Sequence, residues 1–274
     1  MRKSVARSLQ RLHTNYLDVV YCHDVEFVTA EEVLAAVQEL RRLRDEEGSV
    51  KYVGICGYPL GVLCDLAEMI LRETGEPIDI VQSYAHYTLQ NTTLSGQSLQ
   101  RLKDARVDVV PNASVLGMGL LRGNGVPIGG SGDFHPAGQE LRKKVAEAAR
   151  WVEAKGEKLE VVAIRWGTDS WARVGKDVGV GGIGVSVMGV SNLEELEETM
   201  TVWNSVLDGL DIRDGAVGAE NVEWSVTRRK EVQDLAEGIW KILGKWKDFS
   251  WESPEKNFVN DKTVKAVMDN LAAS

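Results

Sequence analysis

Cysteine is scarce in this 274-residue chain: Cys22, Cys56 and Cys64 are an odd set with no CxxC spacing and no evident metal partners. A disulfide-stapled secreted scaffold is therefore a poor fit, and a reducing, cytoplasmic setting is expected. Long hydrophobic runs are missing as well; no stretch approaches the roughly 18 apolar residues that a membrane-spanning helix needs, so no membrane partner is expected. Positive charge is in deficit, with 32 Lys and Arg against 41 Asp and Glu and a formal net charge of −9. Such a field repels phosphate backbones, and no basic stripe interleaved with aromatics offsets it, so nucleic acid is not an expected partner. Arg2, Lys3, Arg7 and Arg11 open the chain without an intervening acid, a pattern shared by amphipathic transit peptides and by an ordinary basic helix with Val5, Leu9 and Leu12 on one face.

What is present is alternation. Leu17 to Tyr21 (LDVVY) is short and β-branched, as a buried strand requires, and a helical pattern follows from Ala30 to Arg44. Lys51 to Cys56 repeats the strand, and a helix is expected over Val62 to Arg72. Ile78 to Tyr84 with a helix over Thr93 to Ala105, then Val107 to Val110, continue the series. A Gly/Pro-rich loop from Gly123 to Gly138 precedes helices over Gln139 to Lys155 and Leu159 to Trp171. Ile183 to Val187 makes a fifth strand, running into the acidic helix start at Asn192 to Glu198. Apolar strands alternating with helices predict an α/β fold, a parallel sheet covered by helices, either doubly wound or a barrel. Beyond about Asp214 the alternation stops; Thr227 to Trp246 is expected to be a helix that caps the same single domain.

Several motifs carry chemistry and also have plainer explanations. Gly179 to Gly184 (GVGGIG) fits GxGxxG in form, but it precedes a strand where the dinucleotide fingerprint must follow one, so a loop is expected. His23, Asp24 and Glu26 fall where the first strand ends, the end at which parallel barrels place reacting groups. Taken alone, this cluster fits a proton-transfer site, a pair of metal ligands or a polar loop. His86 fits either a pocket shared with Gln82 and Ser83 or a loop position making one backbone hydrogen bond; His13 and His135 are expected on a helix surface and in a loop. Gly189-Val190-Ser191-Asn192 before an acidic helix describes a helix cap and equally an anion site at a helix N-terminus.

Taken in order, SLQRLHTNYLDVVYCHDVEF (Ser8 to Phe27), VKYVGICGYPL (Val50 to Leu60), IDIVQSYAHY (Ile78 to Tyr87), NASVLGMGLL (Asn112 to Leu121) and VMGVSNLEELEE (Val187 to Glu198) resemble successive segments of the aldo-keto reductase family. CHDVEF, GYPL, SYAHY, GMGLL and FHPAG are most similar to its sugar-oxidising members, of the L-galactose and D-arabinose dehydrogenase type. The resemblance implies a TIM (β/α)8 barrel and hydride transfer between a nicotinamide cofactor and an aldose oxidised at C1 to its lactone. It assigns His23 as the histidine of the catalytic tetrad and Gln82 to the nicotinamide carboxamide. Ser114, Leu116 and Gly119 fall along the pyrophosphate, and Gly189, Ser191, Glu195 and Glu198 at the adenosine end. Cys56 and Gly57 replace a usual Ser-Asn pair, and Ala113 replaces an aromatic that usually stacks on nicotinamide. No metal is implied. Gly189 and Glu195 stand where NADP-binding members carry cations, so NAD is expected over NADP.

The same resemblance places the tetrad Asp, Tyr and Lys on strands preceding the segment that matches Met1. Five strands are counted against the eight of a closed barrel, so an incomplete barrel is expected, with apolar edges that favour association. A shortened dehydrogenase and a remnant that keeps only cofactor binding are the two explanations. A metal-dependent hydrolase using His23, Asp24 and His86 is a third reading from a different class.

Overall fold

A computed structural model describes residues 1–126, 132, 134–210, 219–256 and 258. Its centre is a five-stranded sheet in the order β1 (Leu17–His23), β2 (Val50–Gly57), β3 (Ile80–Tyr84), β4 (Asn112–Ala113) and β5 (Ser186–Val187), every neighbouring pair parallel. Helices α1 (Arg2–Leu12), α2 (Ala30–Asp45), α3 (Leu60–Thr74), α4 (Gln97–Asp104), α5 (Gln139–Glu153), α6 (Leu159–Val174), α7 (Leu193–Asp208) and α8 (Ala219–Leu243) accompany it. The order is the strand-helix alternation of the (β/α)8 barrel type, but the sheet is open: β1 and β5 are its two edges and do not pair with each other.

One face of the sheet makes the core. Cys22, Val53, Ile55 and Val81 point from alternate strand positions into Val33, Val37 and Leu40 of α2 and Leu63, Ala67 and Ile70 of α3, all buried. Burying each large aliphatic there contributes roughly 1.5–3 kcal/mol. The opposite face, which a closed barrel turns inward, leaves Val19, Tyr52 and Val187 between 37% and 54% exposed. Local signals fix the helix ends. Thr29 and Glu32 form a reciprocal capping box at the start of α2, and α3 stops at Gly75 in the left-handed region. Buried Arg41 donates to Thr74 Oγ1 and to the carbonyls of Glu76 and Pro77, fastening α2 to the turn that feeds β3.

Four expectations need correction. The apolar run Val107 to Val110 makes only a single bridge, Ile80 to Val109; Pro111 has no N–H to donate, and the ladder resumes one residue later at Asn112. The fifth strand is shorter than Ile183 to Val187, because Val180 and Ile183 exchange both backbone hydrogen bonds around a tight turn. Gly181 and Gly182 at its centre both have positive φ, a conformation that favours glycine, so GVGGIG is a turn and not a phosphate loop. Leu12 is 64% exposed, so the apolar face of α1 is Val5 and Leu9 alone. Gly96 also divides the expected Thr93 to Ala105 helix into a single 3-10 turn and α4.

The helix expected over Thr227 to Trp246 falls largely within α8, whose Val232, Ala236, Ile239 and Leu243 are buried in the same hydrophobic core as the sheet residues. It begins at Ala219, earlier than the pattern suggested. Parts of the Gly123 to Gly138 loop and of the tail from Asp214 lie outside the described residues. Among the described residues no helix is long and apolar enough to cross a membrane.

Candidate active site and cofactor cleft

Parallel pairing carries three sequence-flagged positions into one row. His23 at the end of β1 registers with Cys56 on β2, and Cys56 registers with Gln82 on β3. The row lies at the carboxyl ends of the strands, and its side chains share the face opposite the α2/α3 core. The His23 side chain is 72% exposed, with Nδ1 3.0 Å from Asp24 Oδ1. Asp24 takes a left-handed φ of 54°, which turns the chain sharply out of the strand. Beside them, burial drives the Cys56 thiol up to about 12 and the Cys22 thiol up to about 11; all three cysteines are buried and free. Neither thiol is a nucleophile near neutral pH.

Glu26 separates from the His23 pair. Its Oε1 accepts from the Tyr58 backbone N–H at 2.9 Å and from Ser253 Oγ at 3.3 Å, while Oε2 is buried without a partner. A Cβ on Gly57 would stand 2.2 Å from that oxygen, so the Cys-Gly step is what admits the carboxylate. Glu26 is thus a structural post for the segment around Trp251. The Trp251 ring stacks on Tyr58 at 4.9 Å, and the Trp251 backbone N–H donates to the Tyr58 hydroxyl at 3.2 Å. His86 is buried under the same Tyr58, with ring centroids 4.3 Å apart and Nδ1 unpartnered; burial lowers its pKa to about 4. It is packed and neutral, which corrects the shared-pocket alternative. His13 closes α1 as a left-handed cap. His135 is in a loop as expected, yet buried. Among the described residues no group of three or more His, Cys, Asp or Glu is placed to hold a metal ion.

The second part of the site is a cleft of about 550 Å³, within the usual range of small-molecule sites. Ser114, Leu116 and Gly119 form one wall, and Gly189 and Ser191 the other, with Arg122, Val126, Phe134 and Met188 between them. The first wall is a chain of tight turns after β4, with positive φ at Ser114, Gly117, Met118 and Gly119. The second leads into α7. Asn192 caps that helix by accepting from the Glu195 N–H at 2.8 Å, and Glu195 Oε2 accepts from the Ser191 N–H at 2.8 Å. The cap reading of this stretch holds, and the helix N-terminus already holds an anion, its own glutamate. Arg122 reaches Glu195 Oε1 across the cleft at 3.7 Å.

So five of the nine residues flagged from sequence line one cleft, and Glu195 borders it through Arg122. His23 and Gln82 form the strand-end row instead, joined to the cleft through Tyr84 and Ala113, which pair just before Ser114. Glu198 is exposed on α7 and lines neither. Arg122, Phe134 and the Tyr58-Trp251 stack were not singled out individually, although Tyr58 falls in GYPL, Phe134 in FHPAG and Arg122 directly after GMGLL.

The chain is similar in sequence to known proteins. The model of the aldo/keto reductase family covers residues 1–214. The chain belongs to that family. D-arabinose 1-dehydrogenase of Saccharomyces cerevisiae is 35% identical over 244 residues, spanning 87% of this chain and 68% of the yeast protein. L-galactose dehydrogenase of Arabidopsis thaliana is 30% identical over 215 residues, 76% of this chain and 64% of the plant protein. Norsolorinic acid reductase A of Aspergillus parasiticus is 27% identical over 168 residues, covering 60% of this chain and 38% of that protein. The chain is thus an aldo-keto reductase-type oxidoreductase that spans about two thirds of the length of the two sugar dehydrogenases it resembles.

Proposed function

We propose that this aldo-keto reductase is an aldose dehydrogenase with NAD as its preferred acceptor. The ring form of a D-arabinose- or L-galactose-type sugar would give its C1 hydrogen to NAD as hydride and its anomeric hydroxyl proton to a base, leaving lactone and NADH. The reading is supported by a strand-end row that holds family-matched positions on β1 and β3, and by a cleft beyond β4 lined by family-matched positions of the β4 turns and of the segment leading into α7. The names of the two sugar dehydrogenases that the chain resembles supply the sugar class. Residues 1–274 are proposed to act as one domain, capped by α8.

Roles follow from position. His23 would orient the sugar oxygen, Gln82 the nicotinamide carboxamide, and Ser114, Leu116 and Gly119 the pyrophosphate, with Arg122 as the nearby cation. Gly189, Ser191, Glu195 and Glu198 would border the adenosine. Bound there, NAD supplies the hydride acceptor. Preference over NADP rests on Glu195, a carboxylate pinned by the Ser191 N–H beside the cleft, which would repel a 2′-phosphate and accept from a ribose hydroxyl.

One observation favours a second reading, cofactor binding with little or no turnover. Lys51 Nζ stands 4.1 Å over the Tyr16 ring, but this tyrosine-lysine contact is at the opposite end of β1 and β2 from His23. Tyr21 and Tyr84, which share the His23 face, are pushed up to about 12 by burial, away from proton exchange near neutral pH. A missing proton-transfer group costs about 10² to 10⁴ in rate. The test is calorimetric titration with NAD and NADP, followed by near-ultraviolet detection of NADH with D-arabinose or L-galactose. Aldose-dependent NADH that falls in His23→Ala is the expected result. NAD binding without NADH from either sugar would favour the second reading, and absence of NAD binding would overturn both.

A further inference from the structure

Phe134 is unusual among the cleft residues. It is 67% exposed, although it is a large apolar side chain, and it is the sole aromatic lining the cleft among the described residues. Its one described ring contact is with His135, edge-on at 6.1 Å. An aromatic face left exposed in a cleft gives up burial and stacking that a flat partner would supply.

The backbone around Phe134 is fixed in place. His135 is 3% exposed; its Nδ1 accepts from the Ala137 N–H at 3.0 Å, so the ring proton is on Nε2, which donates to the Gly117 carbonyl at 2.9 Å. Gly117 belongs to the turn between Leu116 and Gly119, the cleft wall itself. Arg142 on α5 adds three bonds, donating to the carbonyls of Gly132, His135 and Ala137 at 3.2, 2.8 and 2.8 Å. Two buried or half-buried side chains thus hold this return of the loop against the cleft wall and present the Phe134 ring to the cleft. Ala113, at the start of that wall, offers no ring.

From this geometry we infer that Phe134 is a binding residue whose face stacks on a planar ring of the dinucleotide, a role that rests on the cofactor reading of the cleft given above. Adenine and nicotinamide share the needed chemistry, a flat, weakly hydrated π face. Stacking of this kind corresponds to about a ten-fold change in Kd. The side chain is mostly in solvent, so its replacement leaves the core intact.

Calorimetric titration of the whole chain with NAD and with ADP-ribose, which lacks nicotinamide, tests the assignment. Phe134→Ala and Phe134→Leu are expected to weaken NAD about ten-fold, whereas Phe134→Trp keeps its affinity. An equal loss for ADP-ribose assigns the stack to adenine, and an unchanged ADP-ribose affinity assigns it to nicotinamide. NAD affinity unchanged in Phe134→Ala, or preserved in Phe134→Leu, overturns the inference while leaving the cofactor site standing. Failure of the unaltered chain to bind either ligand overturns the site and the inference together.

Discussion

Acidification should destabilise this protein through His86, and His86→Phe should relieve that loss. His86 is 2% exposed beneath Tyr58, and burial lowers its pKa from 6.5 to about 4. Below 6.5 the unfolded chain takes up a proton that the folded chain refuses until about 4, so stability is full above that window and falls as pH drops through it. The full gap is worth roughly 3 kcal/mol, and about 2 kcal/mol of it is lost by about pH 5. His135 shifts in the same direction, also by burial, and is unaltered in the variant, so some acid sensitivity should persist. Phenylalanine keeps a ring against Tyr58 and removes the titration. Urea unfolding followed by tryptophan fluorescence at about pH 7 and about pH 5 should show the variant losing about 2 kcal/mol less than the unaltered chain. Equal losses in the two proteins would refute the reasoning, whatever the variant does to stability at neutral pH.

Asp169 on α6 is 3% exposed and accepts from Arg229 on α8 and Arg173, at 2.8 to 3.0 Å. Asp169→Ala strands those cations beside buried Arg165 and should cost about 3 kcal/mol in denaturant unfolding, whereas Glu140→Ala, which breaks an exposed pair with Lys143, should leave the unfolding midpoint nearly unchanged. Similar losses in both would show that the α6-α8 pairing does not hold the cap. Glu195→Gln removes the carboxylate beside the cleft and frees Arg122 from its 3.7 Å partner. The ratio of NADP to NAD affinity should rise about ten-fold by calorimetry, and an unchanged ratio would count against the charge argument for NAD.

Strand and helix existence were legible because they depend on local repetition. The cap at Asn192 is written in a few neighbouring residues, and the structure keeps it. Boundaries were less legible where a tertiary contact competes with an apolar run. Val107 to Val110 reads as a strand, but register with β3 and the missing N–H of Pro111 place the ladder at Asn112. The family motifs located the row and the cleft in outline. They did not distinguish Glu26 as a post for Tyr58 and Ser253 from a partner of His23, since the three residues are neighbours in sequence and part only when the chain turns at Asp24.

By itself the sequence determined an α/β chain with parallel strands, the identity of the residues at the strand ends and an acidic start to α7. These follow from periodicity, from charge and from motifs a few residues long. Only the tertiary structure decided that His23, Cys56 and Gln82 share a row, that His86 is sealed under Tyr58, and that Phe134 faces the cleft from a loop that His135 ties to Gly117. Each of those is a contact between segments far apart in the chain. Such contacts are set by sheet register and by which polar groups find partners on burial, and no local pattern encodes them.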